Sequence, residues 1–249
     1  MKIIYIDCSM GAAGDMLAAS LLELTDDPDK TLDELNNLGI PGVVFEYEKV
    51  EKNGISGTRI RSKADSEKQD VHKHHHPGIH DIEHIIFNHI NADDRIKEKI
   101  ISVYSLIADA ESRVHGVNVE QVRFHEIGSM DSIADIAAVC YLFDKINADR
   151  IIASPIHVGR GTVRCAHGIL PVPAPATALI LEDMPFYSRE EVEGELCTPT
   201  GAALLKTFVS EFSEMPFMHI LKTGCGLGTR EFNVAGCLKT FLAESDDKV

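Results

Sequence analysis

The chain opens on residues 2–7, which alternate weakly and are rich in β-forming side chains, and this predicts a first strand. Small residues follow from Cys8 to Asp15, after which Met16, Leu17, Leu21, Leu22 and Leu24 supply the apolar face of a helix. Residues 43–50 and 55–62 read as two strands of a hairpin, joined by a turn at Lys52, Asn53 and Gly54. Polar residues from 63 to 78 then break the pattern and predict a flexible loop. Helical spacing resumes over 79–90 and 96–115, and again from Asp131, where Ile133, Ile136, Ala137, Cys140 and Tyr141 fall on the periodic positions. A short strand is expected at 151–156. The prolines at 171, 173 and 175 bar helix until about Ala176. Residues 200–212 are expected to be helical, with closing strands at 218–223 and 237–243. The succession implies an α/β or α+β protein of one domain over residues 1–249, a mixed β-sheet flanked by helices, with an inserted flexible histidine-rich loop at 63–78.

Composition narrows the class. At 249 residues, 44% hydrophobic and 25% charged, the chain can bury a sizeable core and is not disordered. The 24 Lys+Arg against 39 Asp+Glu leave a net charge of −15, which disfavours nucleic acid and anionic lipid as partners. No apolar run reaches membrane-spanning length, and the N-terminus turns acidic at Asp7, too early for a signal peptide. A cytoplasmic location is expected. Six cysteines without close pairing are expected to be reduced thiols.

The densest chemistry lies between His72 and His84. Six of the 12 histidines (His72, His74, His75, His76, His80 and His84) fall there, with His89 just beyond. Imidazole suits Ni, Cu, Zn and Co, and a mobile loop can wrap several rings around one ion. On a helix His80 and His84, four apart, share a face. The bland alternative is an incidental polar loop. The side-chain chemistry leaves Ni²⁺, Zn²⁺ and Cu²⁺ open.

Other segments offer reacting groups. His125 and Glu126 sit at a predicted turn and read as metal ligands or acid–base groups, while Asp131 is explained by the helix start that follows it. The strand, glycine turn and helix start around Gly11 and Gly14 make an anion site or a packing turn, and Asp7 and Asp15 could hold a metal. Arg160 and Arg164 can meet phosphate or carboxylate, close to Cys165 and His167. The helix start after Cys197 is also anion-friendly. No GxSxG, HExxH or Walker pattern is present, which argues against a hydrolase or a P-loop enzyme.

Five stretches in order carry a resemblance: residues 7–16, the histidine loop, 124–133, 166–177 and 194–203. Together they resemble the LarC family of nickel-insertion proteins. The resemblance implies a cytoplasmic nickel chelatase (cyclometallase, lyase class). Its reaction places Ni²⁺ into pyridinium-3,5-bisthiocarboxylic acid mononucleotide, forming one metal–carbon and two metal–sulfur bonds. The product is the nickel-pincer cofactor of lactate racemase, the downstream acceptor. The resemblance further implies CTP with Mg²⁺ or Mn²⁺, bound by a C-terminal portion. This chain looks like the N-terminal half, so a C-terminal half on another chain is an expected partner. The family usually has a histidine where Arg123 stands here. On this reading the six loop histidines recruit nickel, and His125, Glu126 and His167 act as transfer ligands or base. Gly11, Gly14, Arg160 and Arg164 would hold the phosphate. The alternative is a non-catalytic nickel metallochaperone or storage module.

Overall fold

The computed structural model describes residues 1–64, 77–125, 127–232, 234 and 236–245. Its first half contains β1 (Lys2–Asp7), α1 (Gly14–Leu22), α2 (Pro28–Asn36), β2 (Val43–Lys52), β3 (Ile55–Ala64), α3 (Ile79–His89), α4 (Asp94–His115) and α5 (Met130–Ile146). Short strands follow: β4 (Arg150–Ala153), β5 (Ile156–His157), β6 (Gly159–Arg160), β7 (Thr162–Cys165) and β8 (Gly168–Pro171). The remainder comprises α6 (Pro175–Ile180), β9 (Phe186–Tyr187), β10 (Gly194–Glu195), α7 (Pro199–Phe208), β11 (Glu211–Phe212), β12 (His219–Gly226) and β13 (Leu238–Glu244).

Seven strands form one mixed sheet in the order β11-β4-β1-β13-β12-β3-β2. β1 runs parallel to β4 and antiparallel to β13. Because successive side chains of a strand face opposite ways, β1 feeds two cores. Ile4 and Ile6 enter the main core with α1 and α5, whereas Ile3 and Tyr5 meet Ile152 and Ala243 in a smaller one. Ile3, Ile4, Tyr5 and Ile6 are therefore all buried, with Lys2 and Asp7 at the strand ends. α5 is buried nearly all round, from Ile133 to Ile146, which fits a helix running through the core rather than along the surface. Its start is capped by Ser129, whose hydroxyl accepts from Ser132 N–H at 3.3 Å, and Asp131 lies in the first turn.

The hairpin turns where expected: Asn53 (φ 51°) and Gly54 (φ 78°) both take the left-handed conformation of a two-residue hairpin turn. Other expectations need correction. Residues 151–156 do not form one strand, because Pro155 has no N–H to continue the ladder and separates β4 from β5. The helix expected over 200–212 ends at Phe208; Val209 is extended and Ser210 N–H donates to Ile151 O at 2.8 Å, so the chain joins the sheet edge as β11. α2 had not been expected, although Asp27 caps it and Pro28 occupies its first turn. Cys225 and Cys237 are disulfide-bonded rather than reduced: β12 and β13 pair antiparallel and bring the two together across the hairpin. Among the described residues no helix is long and apolar enough to cross a membrane.

Candidate functional site

The turn between β1 and α1 does two jobs. Gly11 (φ 75°) donates to Cys8 O at 2.9 Å, and a β-carbon on it would stand 2.1 Å from Leu196 O. Its lack of a side chain lets Ala12 bridge to Cys197: Ala12 N–H donates to Leu196 O at 3.1 Å and Thr198 N–H to Ala12 O at 3.0 Å. Gly11 is thus a close-packing residue, and its N–H is already engaged, so the expected phosphate contact there is corrected. Asp7 is set in the same turn, accepting from Ser9 N–H at 3.0 Å, and does not line the cavity described next. Arg160, in β6 opposite Gly194, also lies off it.

A cavity of about 380 Å³ opens beside this turn. Its walls are the start of α1 (Gly14, Asp15), the end of α4 (Glu111, His115), the segment around His125, the start of α5 (Ser132, Asp135), the β7–β8 hairpin (Arg164, Cys165, His167) and the start of α7 (Thr198, Thr200). Glu195 and Arg230 complete it. Four expected site residues, Gly14, Asp15, His125 and Arg164, therefore meet His167 in one place, although up to 153 positions apart (14 to 167) in the chain.

One side of the cavity is rich in nitrogen. The His167 ring lies 5.1 Å from that of His125, edge to face, and 4.9 Å from that of His115. His115 is the last residue of α4, and its Nε2 lies 3.3 Å from Glu111 Oε2, one turn back. The hairpin carrying His167 needs Gly168, at φ 100°, to reverse tightly enough to present the ring.

The other side is rich in carboxyl groups. Asp15 lies in the first turn of its own helix, accepting from Met16 N–H at 2.8 Å. Burial raises its pKa, and the helix-end amides offset part of that. Asp135 is raised well above the ordinary carboxylate range, first by burial and then by the nearby charges of Asp15 and Asp131. Glu195 is buried and paired with Arg230, whose Nη1 donates to its Oε2 at 2.9 Å. The starts of α1 and α7 both face the cavity, and helix starts attract anions, although Asp15 already occupies one of them.

The recruiting histidines divide. His80 and His84 are exposed on α3, away from the cavity; His80 Nδ1 contacts Glu83 Oε2 at 3.0 Å, and the His84 ring lies 5.6 Å from that of His89. His72, His74, His75, His76 and Glu126 lie outside the described residues. Among the described residues no group of three or more His, Cys, Asp or Glu stands ready to hold a metal. His157, outside the cavity, is a structural histidine. Its Nδ1–H donates to Ser9 O at 3.1 Å, its Nε2 accepts from Arg189 N–H at 3.1 Å, and burial lowers its pKa.

Sequence reasoning had not nominated His115, Glu111, Asp135, Glu195 or Arg230. His115 closes a helix, where a histidine is explained by the helix dipole alone. Asp135 stands one turn after Asp131 on an ordinary helix, and only the fold shows that its side chain packs against Gly14.

The chain is 37% identical over 248 residues to the pyridinium-3,5-bisthiocarboxylic acid mononucleotide nickel insertion protein of Desulfitobacterium hafniense (strain DSM 10664 / DCB-2), covering 100% of this chain and 60% of the relative. It is 40% identical over 256 residues to the protein of that name from Clostridium kluyveri, covering 99% and 63%. The chain therefore spans less than two thirds of the length of these curated relatives. No solved structure matches. The nickel insertion protein family model matches residues 4–249, so the chain belongs to that family.

Proposed function

We propose that this chain handles nickel for insertion into pyridinium-3,5-bisthiocarboxylic acid mononucleotide, and that the cavity is where nucleotide and metal meet. One observation carries the reading: His125 and His167 line the same cavity as Arg164, Arg230 and two helix starts. The nucleotide brings a phosphate, two thiocarboxylates and a cationic ring. Arg164, on the hairpin, and the start of α7, with Thr198 and Thr200, are the phosphate contacts this geometry favours. On the carboxyl side Asp15, whose ionised form the helix-start amides and Arg230 favour, is the group suited to the pyridinium charge.

Insertion replaces a ring C–H bond by a nickel–carbon bond, so one proton must leave while two sulfur–nickel bonds form. In this reading His125 or His167 accepts that proton or holds nickel before transfer, with Glu126 as the expected assistant of His125. The exposed histidines of α3, with His72, His74, His75 and His76 before them in the sequence, recruit nickel from solution, and this is the feature a metallochaperone would share. In this reading CTP with Mg²⁺ or Mn²⁺ is bound by a C-terminal half, a partner if another chain supplies it, and lactate racemase receives the product.

The test is reconstitution: the chain with Ni²⁺, the dithiocarboxylated nucleotide, CTP and Mg²⁺, with and without a C-terminal half, assayed by activation of lactate racemase. Product that His167→Ala abolishes supports insertion at this cavity. Nickel release to a partner without product, under all conditions, would make the chain a chaperone.

A further inference from the structure

We infer that His115, His167 and His125 form a nitrogen-donor site for a borderline divalent cation, nickel first, with Glu111 as the residue that positions His115. The proposal deepens the reading above by placing the metal within the cavity, and it adds two residues, His115 and Glu111, for which the sequence offers no signal.

Three observations carry it. The first is spacing. Two imidazoles in adjacent positions on one ion, each bonded at about 2.0–2.1 Å, hold their ring centres about 4.5–5 Å apart. The His167 ring lies 4.9 Å from His115 and 5.1 Å from His125, making it the shared neighbour of both.

The second is the carboxylate behind His115. Metal-binding histidines commonly donate their other ring N–H to a carboxylate, which fixes tautomer and orientation. Glu111 Oε2 stands 3.3 Å from His115 Nε2. With the proton held on that nitrogen, Nδ1 keeps its lone pair for a metal. An ordinary surface pair on a helix would have the same spacing, but here both residues line the cavity.

The third is exposure. All three rings are solvent-accessible at the cavity wall, on three separate segments: the end of α4, the turn before α5 and the β7–β8 hairpin. None is needed to fill the core. The donors do not yet converge in ligand geometry. Rotamer changes of these exposed side chains about an incoming ion close the site.

Binding of the metal alone tests the site, free of the insertion reaction. The histidines expected to recruit nickel must first be silenced, with His72, His74, His75, His76, His80 and His84 replaced by Asn. Calorimetric Ni²⁺ titration of this protein should leave one tight equivalent, and Co²⁺ should give the visible absorption of a nitrogen-ligated ion. His115→Ala and His167→Ala should each remove that equivalent or weaken it by at least about 100-fold, and Glu111→Gln by about 10–100-fold. His167→Asn, on an exposed hairpin, guards against misfolding, as does an unchanged circular dichroism melt. No nickel equivalent in the six-fold variant would overturn the proposal, and so would one indifferent to His115 and His167. If nickel binds as described while reconstitution yields no cofactor, the insertion reading fails and the site stands.

Discussion

Gly201 lies directly against Ala12: a β-carbon added to Gly201 would stand 2.1 Å from the Ala12 carbonyl oxygen. The contact fastens the start of α7 to the turn before α1, beside the Ala12–Cys197 bridge, and so holds two cavity walls together. In an open helix, Gly→Ala gains about 0.5–1 kcal/mol from reduced chain entropy. Here the overlap with backbone outweighs it. Gly201→Ala should cost about 1–3 kcal/mol in urea unfolding, the usual penalty of overpacking. Gly116→Ala, left-handed at φ 64° but with open space around it, is the comparison and should cost about 1 kcal/mol. Equal midpoints for the two variants would mean that the contact yields without strain.

Asp135 gives the cavity a pH signature. Its carboxyl is raised by burial and by Asp15 and Asp131, so the folded chain holds this proton more tightly than the unfolded chain does. Stability therefore falls as pH climbs from the ordinary Asp value through the raised one, by about 1.4 kcal/mol for each unit between them. Asn cannot ionise and also relieves Asp15, whose own pKa is raised. Between about pH 5 and about pH 8 the melting temperature of the wild type should drop further than that of Asp135→Asn. Parallel pH profiles would show that Asp135 is ionised at no cost in the folded chain.

The Glu195–Arg230 pair predicts an asymmetry. Glu195 has 6% of its side chain exposed and Arg230 has 52%, so only the carboxylate is committed to the interior. Arg230→Ala leaves that charge without its arginine and should destabilise by about 1–3 kcal/mol. Glu195→Gln keeps a hydrogen-bonding oxygen without the charge and should cost less. A double-mutant cycle in chemical denaturation measures the coupling, and a value near zero would show that solvent replaces the guanidinium.

The parts of this fold legible in the sequence are those set by local periodicity. β1, α1, α4 and α5 follow from apolar spacing because each buries a continuous face or stripe. Pairings made at a distance were not legible. β11 exists because Ser210 meets Ile151 at a sheet edge, and the Cys225–Cys237 bond exists because a hairpin closes across it. The site divides in the same way. His125, Arg164 and His167 carry their chemistry in short motifs, and the fold gathers them. His115 and Asp135 sit in ordinary helical positions and acquire meaning only from what the fold places opposite them. Gly11 shows the converse, since a glycine turn before a helix suits an anion, yet the Leu196 carbonyl takes up the space.

The last prediction separates nickel recruitment from the cavity. Pro77 follows the histidine run, and its carbonyl accepts from Phe124 N–H at 3.0 Å, next to His125. Its ring packs so close to Gly128 that a β-carbon on that glycine would stand 2.6 Å from Pro77 Cγ. Pro77 is thus part of the frame that seats His125. Replacing His72, His74, His75 and His76 with Asn should lower the number of nickel ions bound and slow cofactor formation at limiting nickel. Formation at saturating nickel should stay within about 2-fold, because abundant metal bypasses a recruiting segment by mass action. Deleting residues 71–77 removes Pro77 as well and should depress formation at every nickel concentration. Rates measured across a nickel titration distinguish the two outcomes. If the Asn variant loses formation even at saturating nickel, the loop histidines belong to the chemistry and not only to recruitment.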